Sequence, residues 1–503
     1  MKQLNWYQIF GNTHTIPEGS TVTPTDDVQI LLHCANIWDK SYTTIGEVIA
    51  DDDTLFLTLI DNNAIDYLVR STTFASSIVA DESAMQYIGA SDYASDTLLS
   101  DSTWLTAIDG SAYKDYVINA SVPKMTSNTT PSGEVIATDY VSSYLPYKAF
   151  DGDNSTRWNS ASGSGGKMIG YYFGKNVSVH KIKVRNQDAS HGIKDIQLRA
   201  SSDNVTWTDV GSQITVPANN TDNFFTIGGS AKDYYWALNI TKGLSGNTDD
   251  FTVCEIQFYG RQNGGVQSWL KAGGITNKKY TTVSEVLSDL TTLATLMSST
   301  DAIDYLVTAK GWATEICSDS NAMADIGLNN YAANTLLADE TWKEAICLST
   351  YFESVLNVKN PDMTDNTHPY GEISSSSPRS DLNANCYKTM DGDLTNNWDF
   401  GNANDGHWIK YRFVSPTKIY RVAIKNDYAT ENKRITAIDV LQGSNDDSTW
   451  TTVHNFNGNH GDPTVAVTNP GSYLYYKLIG NHYSTSGYGY GYTEIQYWGR
   501  KDI

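Results

Sequence analysis

The hexapeptide AIDYLV occurs twice in this chain of 503 residues, at Ala64 and again 238 residues later at Ala302. The correspondence extends to the end of each half, where EIQFYGR at Glu255 matches EIQYWGR at Glu494. A chain that repeats itself in this way is expected to fold each half into the same arrangement. Because a single hydrophobic core stops growing well below this length, we expect roughly four domains, arranged as two copies of one pair of modules.

Apolar residues recur every ten positions in the first part of each copy. In the second copy they are Val286, Leu296, Leu306, Ile316, Ile326, Leu336, Ile346 and Leu356. Another apolar residue often stands four residues earlier, and Ser, Asp, Asn or Gly follows, which indicates about two helical turns and then a break. One continuous helix is excluded, because ten residues at ~100° each would rotate its apolar stripe by ~80° per repeat. We therefore predict two repeat arrays of short stacked helices, at 29–122 and 263–360.

The character of the sequence changes after each array. Short alternating runs such as IKVR at Ile182 and IQLR at Ile196 are separated by clusters of Gly, Asn, Asp and Ser. This pattern predicts all-β domains at 123–262 and 361–503. The predicted fold class is therefore mixed and multidomain, with two short-helix repeat arrays that alternate with two antiparallel β-sandwich domains. Residues 1–28 have no counterpart at the same offset, and we assign them to an N-terminal attachment segment, with an extra strand and loop as the alternative.

Composition and charge argue against several classes of partner. The formal net charge of −22 repels nucleic acid and anionic lipid surfaces, and it favours divalent cations. No run approaches the ~20 apolar residues of a membrane span, and the first residues lack the apolar core of a signal peptide. The five cysteines form no CxxC motif, and no position carries Cys in both copies, which predicts reduced, buried thiols. We expect no nucleic-acid partner, no membrane insertion, and folding in a cytoplasm.

Three motifs occur in the same order in each β-domain. In the first domain they are YKAFDGDNSTRW from Tyr147, IQLRASSDNVTW from Ile196 and EIQFYG from Glu255, and in the second YKTMDGDLTNNW from Tyr387, VLQGSNDDSTW from Val440 and EIQYWG from Glu494. These motifs resemble those of the discoidin family, also called coagulation factor 5/8 type C domains, which includes many carbohydrate-binding modules. The resemblance covers somewhat more than half of the sequence and implies jelly-roll, discoidin-like sandwiches. It says nothing about the helical arrays.

The resemblance also implies a bound metal. In the family, the Asp-Gly-Asp turn commonly wraps a structural Ca²⁺ that the Glu of the last strand completes, and this hard cation needs six or more oxygen ligands. Carried over to this chain, the ligands are Ala149, Asp151, Asp153, Thr156 and Glu255 in the first domain, and Asp391, Asp393, Asn396 and Glu494 in the second. Asn396 departs from the pattern because it stands in the place of Thr156, which weakens the second site. The alternative is a turn with solvated carboxylates and no metal.

Sugar binding in the family uses loops at one end of the sandwich, with an aromatic platform and a few His, Arg or Asn side chains. The matching candidates are Tyr140, Tyr144, Asn159, Asn186 and His191 in the first domain, and Phe400, Asn426, Asn432, Tyr488 and Tyr490 in the second. Asn186 stands where many galactose-binding members carry Arg. Glycine alternates with tyrosine in 487–492, which disfavours regular packing and favours a recognition loop. A structural role is the alternative for any one of these residues.

These inferences combine into a hypothesis of function. The arrays contain AMxxI and TWxxAI elements that resemble those found beside discoidin domains in tail or fibre proteins of phages that infect gut bacteria. We therefore expect a non-catalytic carbohydrate-binding adhesion protein on a virion surface, as a tail fibre, head fibre or decoration protein. Its expected partners are host cell-surface or mucosal glycans and other virion proteins, and homo-oligomerisation stays open.

Two other functions remain as alternatives. The first is a purely structural virion protein whose sandwiches make protein contacts. The second is the binding part of a glycan-degrading enzyme. The chain has no HExxH, no GxSxG and no Cys/His constellation, so we expect that it is not an enzyme. A paired-carboxylate glycosidase would leave no such motif, because its two acids need not be close in the chain.

Overall fold

The computed structural model of the protein describes residues 26–162, 166–227, 231–244, 251–262, 264–376, 385–395, 398–399, 406–426, 436–459, 461–482 and 491–501. The chain divides into two compact units, unit 1 (Met1–Glu285 and Thr308–Gly311) and unit 2 (Val286–Val307 and Trp312–Ile503). Each unit contains helices and a β-sandwich, in agreement with a mixed, multidomain fold. Within the described ranges, no helix is long and apolar enough to cross a membrane.

Short helices fill the segment before each sandwich. In the first half they are α1 Asp27–Cys34, α2 Ile45–Ala50, α3 Asp52–Ile60, α4 Asn62–Arg70, α5 Ala75–Ile78, α6 Glu82–Ala90, α7 Asp92–Ser100 and α8 Ser102–Gly110. After the first sandwich follow α9 Val266–Ala272, α10 Val283–Ser288, α11 Leu290–Ser298, α12 Thr300–Thr308, α13 Ala313–Cys317, α14 Ser320–Leu328, α15 Asn330–Ala338 and α16 Glu340–Leu348. Single 3-10 turns lie at Thr72–Phe74, Lys114–Tyr116, Pro146–Ala149, Lys310–Trp312, Phe352–Ser354 and Cys386–Thr389.

The spacing of these helices follows from how one ends and the next begins. Asp101 lies in extended conformation between α7 and α8, and its side chain accepts hydrogen bonds from the backbone N–H groups of Thr103 (2.9 Å) and Trp104 (3.0 Å). Asp339 caps α16 in the same way. Acidic and small polar residues are preferred at this position because they satisfy donors that the first helical turn leaves free. Nine helical residues and one shared cap residue give a spacing of ten.

Helices three apart along the chain pack side by side in the first helical region. There α3 contacts α6, α4 contacts α7 and α5 contacts α8. The indole of Trp104 spans this packing and donates a hydrogen bond to the carbonyl of Leu68 at 2.8 Å, and Trp342 donates to Leu306 at the same distance in the second region. Both indoles are buried, and each donates to a carbonyl in the last turn of another helix, where intrahelical donors run out. Helix α9, which lies beyond the first sandwich in the chain, packs against α6 and α7 of unit 1.

The first sandwich is antiparallel throughout its described strands. They are β1 Ala120–Ser121, β2 Glu134–Ala137, β3 Trp158–Asn159, β4 Lys167–Arg185, β5 Ile193–Ser201, β6 Thr208–Thr215, β7 Asn223–Thr226, β8 Asp233–Gly243, β9 Thr252–Val253 and β10 Glu255–Gln262. Their order runs β1-β10-β4-β8-β5-β6, with β2 and β7 also paired to β4, and with β3 paired to β9.

Strand β4 takes part in both layers of this sandwich. Its first part, up to Tyr172, pairs with β2 and β8, whereas its second part, from Val177, pairs with β10. Gly174 lies between the two parts with φ +68°, a left-handed conformation that glycine adopts without steric cost. One long strand therefore holds the two layers together.

The second sandwich repeats this topology. Its strands are β11 Val358–Lys359, β12 Glu372–Ser375, β13 Trp398–Asp399, β14 His407–Asn426, β15 Thr436–Ser444, β16 Thr451–Asn459, β17 Thr464–Ala466, β18 Ser472–His482 and β19 Gly491–Arg500. Their order runs β11-β19-β14-β18-β15-β16, and β14 breaks register between Arg412 and Thr417 as β4 does in the first sandwich. The two sandwiches that the sequence predicted are thus present, with the same order of strands.

Candidate functional site

The Asp-Gly-Asp turn of the first sandwich folds back onto the last strand. Gly152 has φ +72°, and its N–H donates a hydrogen bond to Oε2 of Glu255 at 3.2 Å. The N–H of Asp153 donates to Oδ1 of Asp151 at 2.8 Å. The left-handed glycine turns the chain so that residues far apart in sequence bring their oxygens to one place.

Several oxygens converge on the hydroxyl of Thr156. It lies 2.6 Å from Oδ2 of Asp151, 3.1 Å from the carbonyl of Asp153 and 3.2 Å from the carbonyl of Lys148. A hydroxyl carries one proton and can serve only one acceptor well, so the other oxygens face one another without a donor from this group. Ala149, another predicted ligand, is buried at the end of the 3-10 turn Pro146–Ala149. An oxygen-only donor set of this kind is chemically suited to a hard cation such as Ca²⁺.

The carboxylate of Glu255 is buried beside this turn, with a relative exposure of 2%. Burial raises the pKa of Glu255 to about 7; the nearby Lys183 opposes the increase and Asp151 adds to it. Within the described residues, no three His, Cys, Asp or Glu side chains converge as a metal cluster. Any cation here would therefore be bound by two carboxylates together with hydroxyl and carbonyl oxygens.

The second sandwich carries the same turn. The N–H of Gly392 donates to Oε2 of Glu494 at 3.3 Å, and the N–H of Asp393 donates to Oδ1 of Asp391 at 3.0 Å. Burial likewise raises the pKa of Glu494 to about 7. Asn396, the remaining predicted ligand, lies outside the described residues.

At the loop end of the first sandwich, Arg157 stacks on Tyr144. The guanidinium carbon lies 4.3 Å from the ring centroid, and Nη2 donates to the tyrosine hydroxyl at 2.8 Å. Nε of Arg157 is buried and has no acceptor among the described residues. The neighbouring Trp158 is completely buried and donates its indole N–H to the carbonyl of Asp139 at 3.1 Å, which makes it a core residue.

Asn159 connects two of the predicted segments at the loop end of the first sandwich. Its carbonyl accepts a hydrogen bond from the N–H of Val141 at 3.0 Å, and its side chain is buried. It pairs with Thr252 in the short β3–β9 ladder. The segment that contains Tyr144 and the strand that follows Arg157 therefore meet at one place.

The loop that follows β4 is closed by Asn186. Its Oδ1 accepts from the N–H of Ile193 at 2.9 Å, and its Nδ2 donates to the carbonyls of Ile193 (3.0 Å) and Pro217 (3.2 Å). Because Asn186 is completely buried and its amide is used within the protein, the structure places it as a loop-closing residue with no face toward a ligand. His191 on the same loop is half exposed, and its Nδ1 lies 2.9 Å from Oδ2 of Asp188.

Tyr140 faces a different part of the surface. It is 46% exposed and lines a cavity of about 380 Å³ along β2, together with Glu134, Thr138, Met168 and Asn204. The cavity wall does not include Tyr144 or Arg157. Tyr140 and Tyr144 therefore lie at separate parts of the surface.

Sequence reasoning missed Arg157 as a candidate. The residue stands directly before the motif tryptophan, and that position was the only available signal. In the second domain, Phe400, Asn432, Tyr488 and Tyr490 lie outside the described residues, and Asn426 ends β14 with its side chain outside them as well. The candidate sugar site is thus defined in the first sandwich.

Two parts of the chain match known families. Residues 148–235 match the family described as NedA-like, galactose-binding domain, and residues 372–494 match the F5/8 type C domain. The chain therefore contains two discoidin-like, F5/8 type C domains, which confirms the resemblance that their motifs carried. No curated protein matches the chain.

Several solved structures are similar to parts of this chain. One is module CBM32-3 of a family 31 glycoside hydrolase from Clostridium perfringens, at 21% identity, covering 25% of this chain and 88% of that chain, with a TM-score of 0.23. Another is the family 32 CBM of C. perfringens NanJ in complex with galactose, at 19% identity, covering 25% and 93%, with a TM-score of 0.23. A third contains the CBM32-1 and CBM32-2 domains of C. perfringens ZmpB, at 13% identity, covering 73% and 92%, with a TM-score of 0.22.

Proposed function

We propose that this chain is a non-catalytic carbohydrate-binding adhesion protein in which the F5/8 type C sandwiches bind glycans. The observation that carries the proposal is the stacked pair of Arg157 and Tyr144 at the loop end of the first sandwich. The matched family model, described as galactose-binding, includes Arg157. The sequence position that supplies Arg in many galactose-binding relatives holds Asn186 here, and Arg157, directly before strand β3, provides a guanidinium instead.

The pair has the chemistry that a sugar requires. A guanidinium presents planar N–H donors that can bind two neighbouring hydroxyls at once, and stacking on Tyr144 holds that plane in one orientation. An aromatic ring offers an apolar face to the C–H face of a pyranose, and a few fixed polar groups then set which hydroxyls are accepted. The hydrogen bond from Nη2 to the tyrosine hydroxyl restricts the side chain further, so less conformational entropy is lost on binding.

Duplication of the sandwich supports adhesion by weak sites. A single shallow sugar site binds weakly, but two tethered sites that engage one surface together gain avidity of order 10²-fold or more. The two F5/8 type C domains of this chain supply such a pair.

We also propose a structural Ca²⁺ at each Asp-Gly-Asp turn. In the first sandwich Asp151, Asp153, Thr156 and Glu255 would hold it, and in the second Asp391, Asp393 and Glu494. Burial raises the pKa values of Glu255 and Glu494 to about 7, and a bound cation would favour the charged form of both carboxyls. Bound Ca²⁺ would supply positive charge that holds the turn against the last strand.

The setting that we propose is the surface of a phage virion, as a tail fibre, head fibre or decoration protein, with other virion proteins as partners. All five cysteines are buried and free, as expected for a protein that folds in a reducing cytoplasm. Immunogold labelling of purified particles with an antibody to this chain tests the setting. Labelled particles would support it, and labelling confined to the host cell would overturn it.

Glycan binding is tested with the full chain on an array that includes terminally galactosylated glycans, read at high valency with and without Ca²⁺. The proposal expects binding to a defined set of glycans. Absence of binding under both conditions would overturn it and would favour sandwiches that make protein contacts. Polysaccharide that shortens during long incubation would contradict the non-catalytic part of the proposal.

A further inference from the structure

In unit 2, the guanidinium of Arg421 lies between two aromatic rings. Its central carbon is 3.7 Å from the ring centroid of Phe352 and 4.4 Å from that of Trp498. Phe352 belongs to the 3-10 turn Phe352–Ser354 that follows the helices, and Trp498 belongs to β19. The cation is therefore held where the helical region of this unit meets its sandwich.

Two N–H donors at this place have no acceptor. Nε of Arg421 and Nε1 of Trp498 are both buried, and neither has a hydrogen-bond partner among the described residues. Stacking satisfies the faces of a guanidinium but leaves its in-plane N–H groups in need of acceptors. Trp498 is only 4% exposed, and a buried donor without an acceptor costs about 1–3 kcal/mol. Two buried donors of this kind, one of them on a cation that stacks on the ring of the other, favour an anionic acceptor.

Unit 1 provides that acceptor at the equivalent place. Lys181 pairs with Tyr259 across β4 and β10, as Arg421 pairs with Trp498 across β14 and β19. The carboxylate of Asp109 lies 2.6 Å from Nζ of Lys181. The first copy therefore neutralises its cation with a side chain of its own helix α8.

The second copy lacks this carboxylate. Asp109 is the eighth residue of α8, and the eighth residue of α16 is Cys347, whose thiol donates to the carbonyl of Tyr420 at 3.3 Å. Glu353 is exposed and close enough to influence Arg421 electrostatically, but it makes no ion pair with it in the described part of unit 2. Arg421 is thus a cation that the fold positions and leaves without a carboxylate.

We propose that Arg421 and Trp498 form a second binding site, which takes the carboxylate of an acidic sugar such as a uronic acid. The half-buried guanidinium of Arg421 supplies the donors that a carboxylate accepts, and the half-buried ring of Phe352 beside it offers an apolar face to the sugar. The choice of a sugar as ligand rests on the proposed glycan-binding function, and the site lies in the second unit whereas the Arg157 site lies in the first.

The test is titration of the full chain with D-glucuronate, D-glucose and acetate, followed by heteronuclear NMR of the indole N–H groups. Glucuronate is expected to shift the Trp498 signal with millimolar affinity, glucose to leave it unchanged, and acetate to bind more weakly than glucuronate. Arg421→Gln should weaken glucuronate binding at least tenfold. Cys347→Asp, which supplies the carboxylate found in unit 1, should have the same effect while retaining Arg421.

Two results would overturn the proposal. If glucuronate binds wild type and Arg421→Gln equally, Arg421 does not form a binding site. The same conclusion follows if glucuronate leaves the Trp498 signal of wild type unchanged. If acetate binds as tightly as glucuronate, the site recognises a carboxylate and not a sugar. Binding of array glycans through the Arg157 site should be unchanged in both variants, so failure of this proposal and failure of the proposed function are separable.

Discussion

Nη2 of Arg261 lies 2.6 Å from Oδ1 of Asp92, and this ion pair joins the last strand of the first sandwich to helix α7. The arginine side chain is only 1% exposed. In unit 2 the equivalent Arg500 donates to the carbonyl of Gly327 at 3.1 Å and to Oδ1 of Asn330 at 2.9 Å. The arginine that ends each EIQxxGR motif therefore attaches the sandwich to the helices of its own unit.

Replacing Arg261 should destabilise unit 1 strongly. Arg261→Met removes one partner of a buried pair and leaves the Asp92 carboxylate without its cation, which costs about 3–5 kcal/mol. Denaturant unfolding of the full chain measures this loss. The matched control is Arg199→Met, which breaks the exposed pair of Arg199 with Asp209 and should cost under about 1 kcal/mol. Equal effects of the two substitutions would contradict a joining role for Arg261.

The two buried indole hydrogen bonds of the helical regions should each contribute to the free energy of unfolding. Trp104→Phe and Trp342→Phe keep an aromatic ring but leave the carbonyls of Leu68 and Leu306 unpaired, which we expect to cost about 2 kcal/mol or more in each unit. Thermal unfolding checks this. Trp38→Phe serves as the control, because its indole bond is exposed and its loss should change stability by less than about 0.5 kcal/mol. A large effect at Trp38 together with small effects at the buried pair would refute the reasoning.

Calcium should stabilise unit 1 through Glu255. We expect added Ca²⁺ to raise the melting temperature of the wild-type chain, and EDTA to lower it, because a ligand that binds only the folded state stabilises it. Glu255→Gln keeps the shape of the side chain but removes its charge, so the calcium response of unit 1 should vanish. Asp209→Asn, at an exposed site away from the turn, should leave the response intact. A wild-type melting temperature that changes with neither Ca²⁺ nor EDTA would contradict the metal proposal.

His180 should contribute a loss of stability in acid, opposite in sign to the contribution of Glu255 and Glu494, whose pKa values are raised. Burial lowers the pKa of His180 to about 4, with Asp96 opposing the shift and Arg261 and Lys232 adding to it. The unfolded chain takes up a proton near pH 6.5 whereas the folded chain does not, so the stability that neutral His180 contributes is lost as pH falls from 6.5 toward 4, by up to about 3 kcal/mol.

The comparison of variants isolates this contribution. Relative to wild type, His180→Gln should lose less stability between pH 6.5 and pH 4, because the titrating imidazole is gone while the carboxylates remain. His368→Gln, at an exposed histidine, should keep the wild-type slope. The same slope in wild type and His180→Gln would show that burial of His180 does not govern acid stability.

Much of the fold could be predicted from the sequence because its signals are local. The ten-residue spacing marks a cap residue such as Asp101 after every nine helical residues, and the Asp-Gly-Asp motif marks a left-handed glycine. The bend of β4 at Gly174, which lets one strand serve two layers, depends on tertiary pairing and leaves only a glycine in the sequence.

The candidate site could be predicted less well, because it depends on where amides and guanidinium groups find partners. Asn186 has the residue type of a sugar ligand, but its hydrogen bonds to Ile193 and Pro217 use its amide inside the loop. Arg157 became a candidate only when the fold brought Tyr144 against it. Composition cannot separate these cases, since both residues lie in polar segments beside a strand.

The most direct test of the glycan-binding account is calorimetric titration of the strongest array glycan into wild type, Arg157→Gln and Arg199→Gln. Arg157→Gln should weaken binding to the first sandwich at least tenfold, because the stacked guanidinium is lost, while Arg199→Gln should bind as wild type does. Unchanged affinity and stoichiometry in Arg157→Gln would contradict a sugar site at the loop end of the first sandwich.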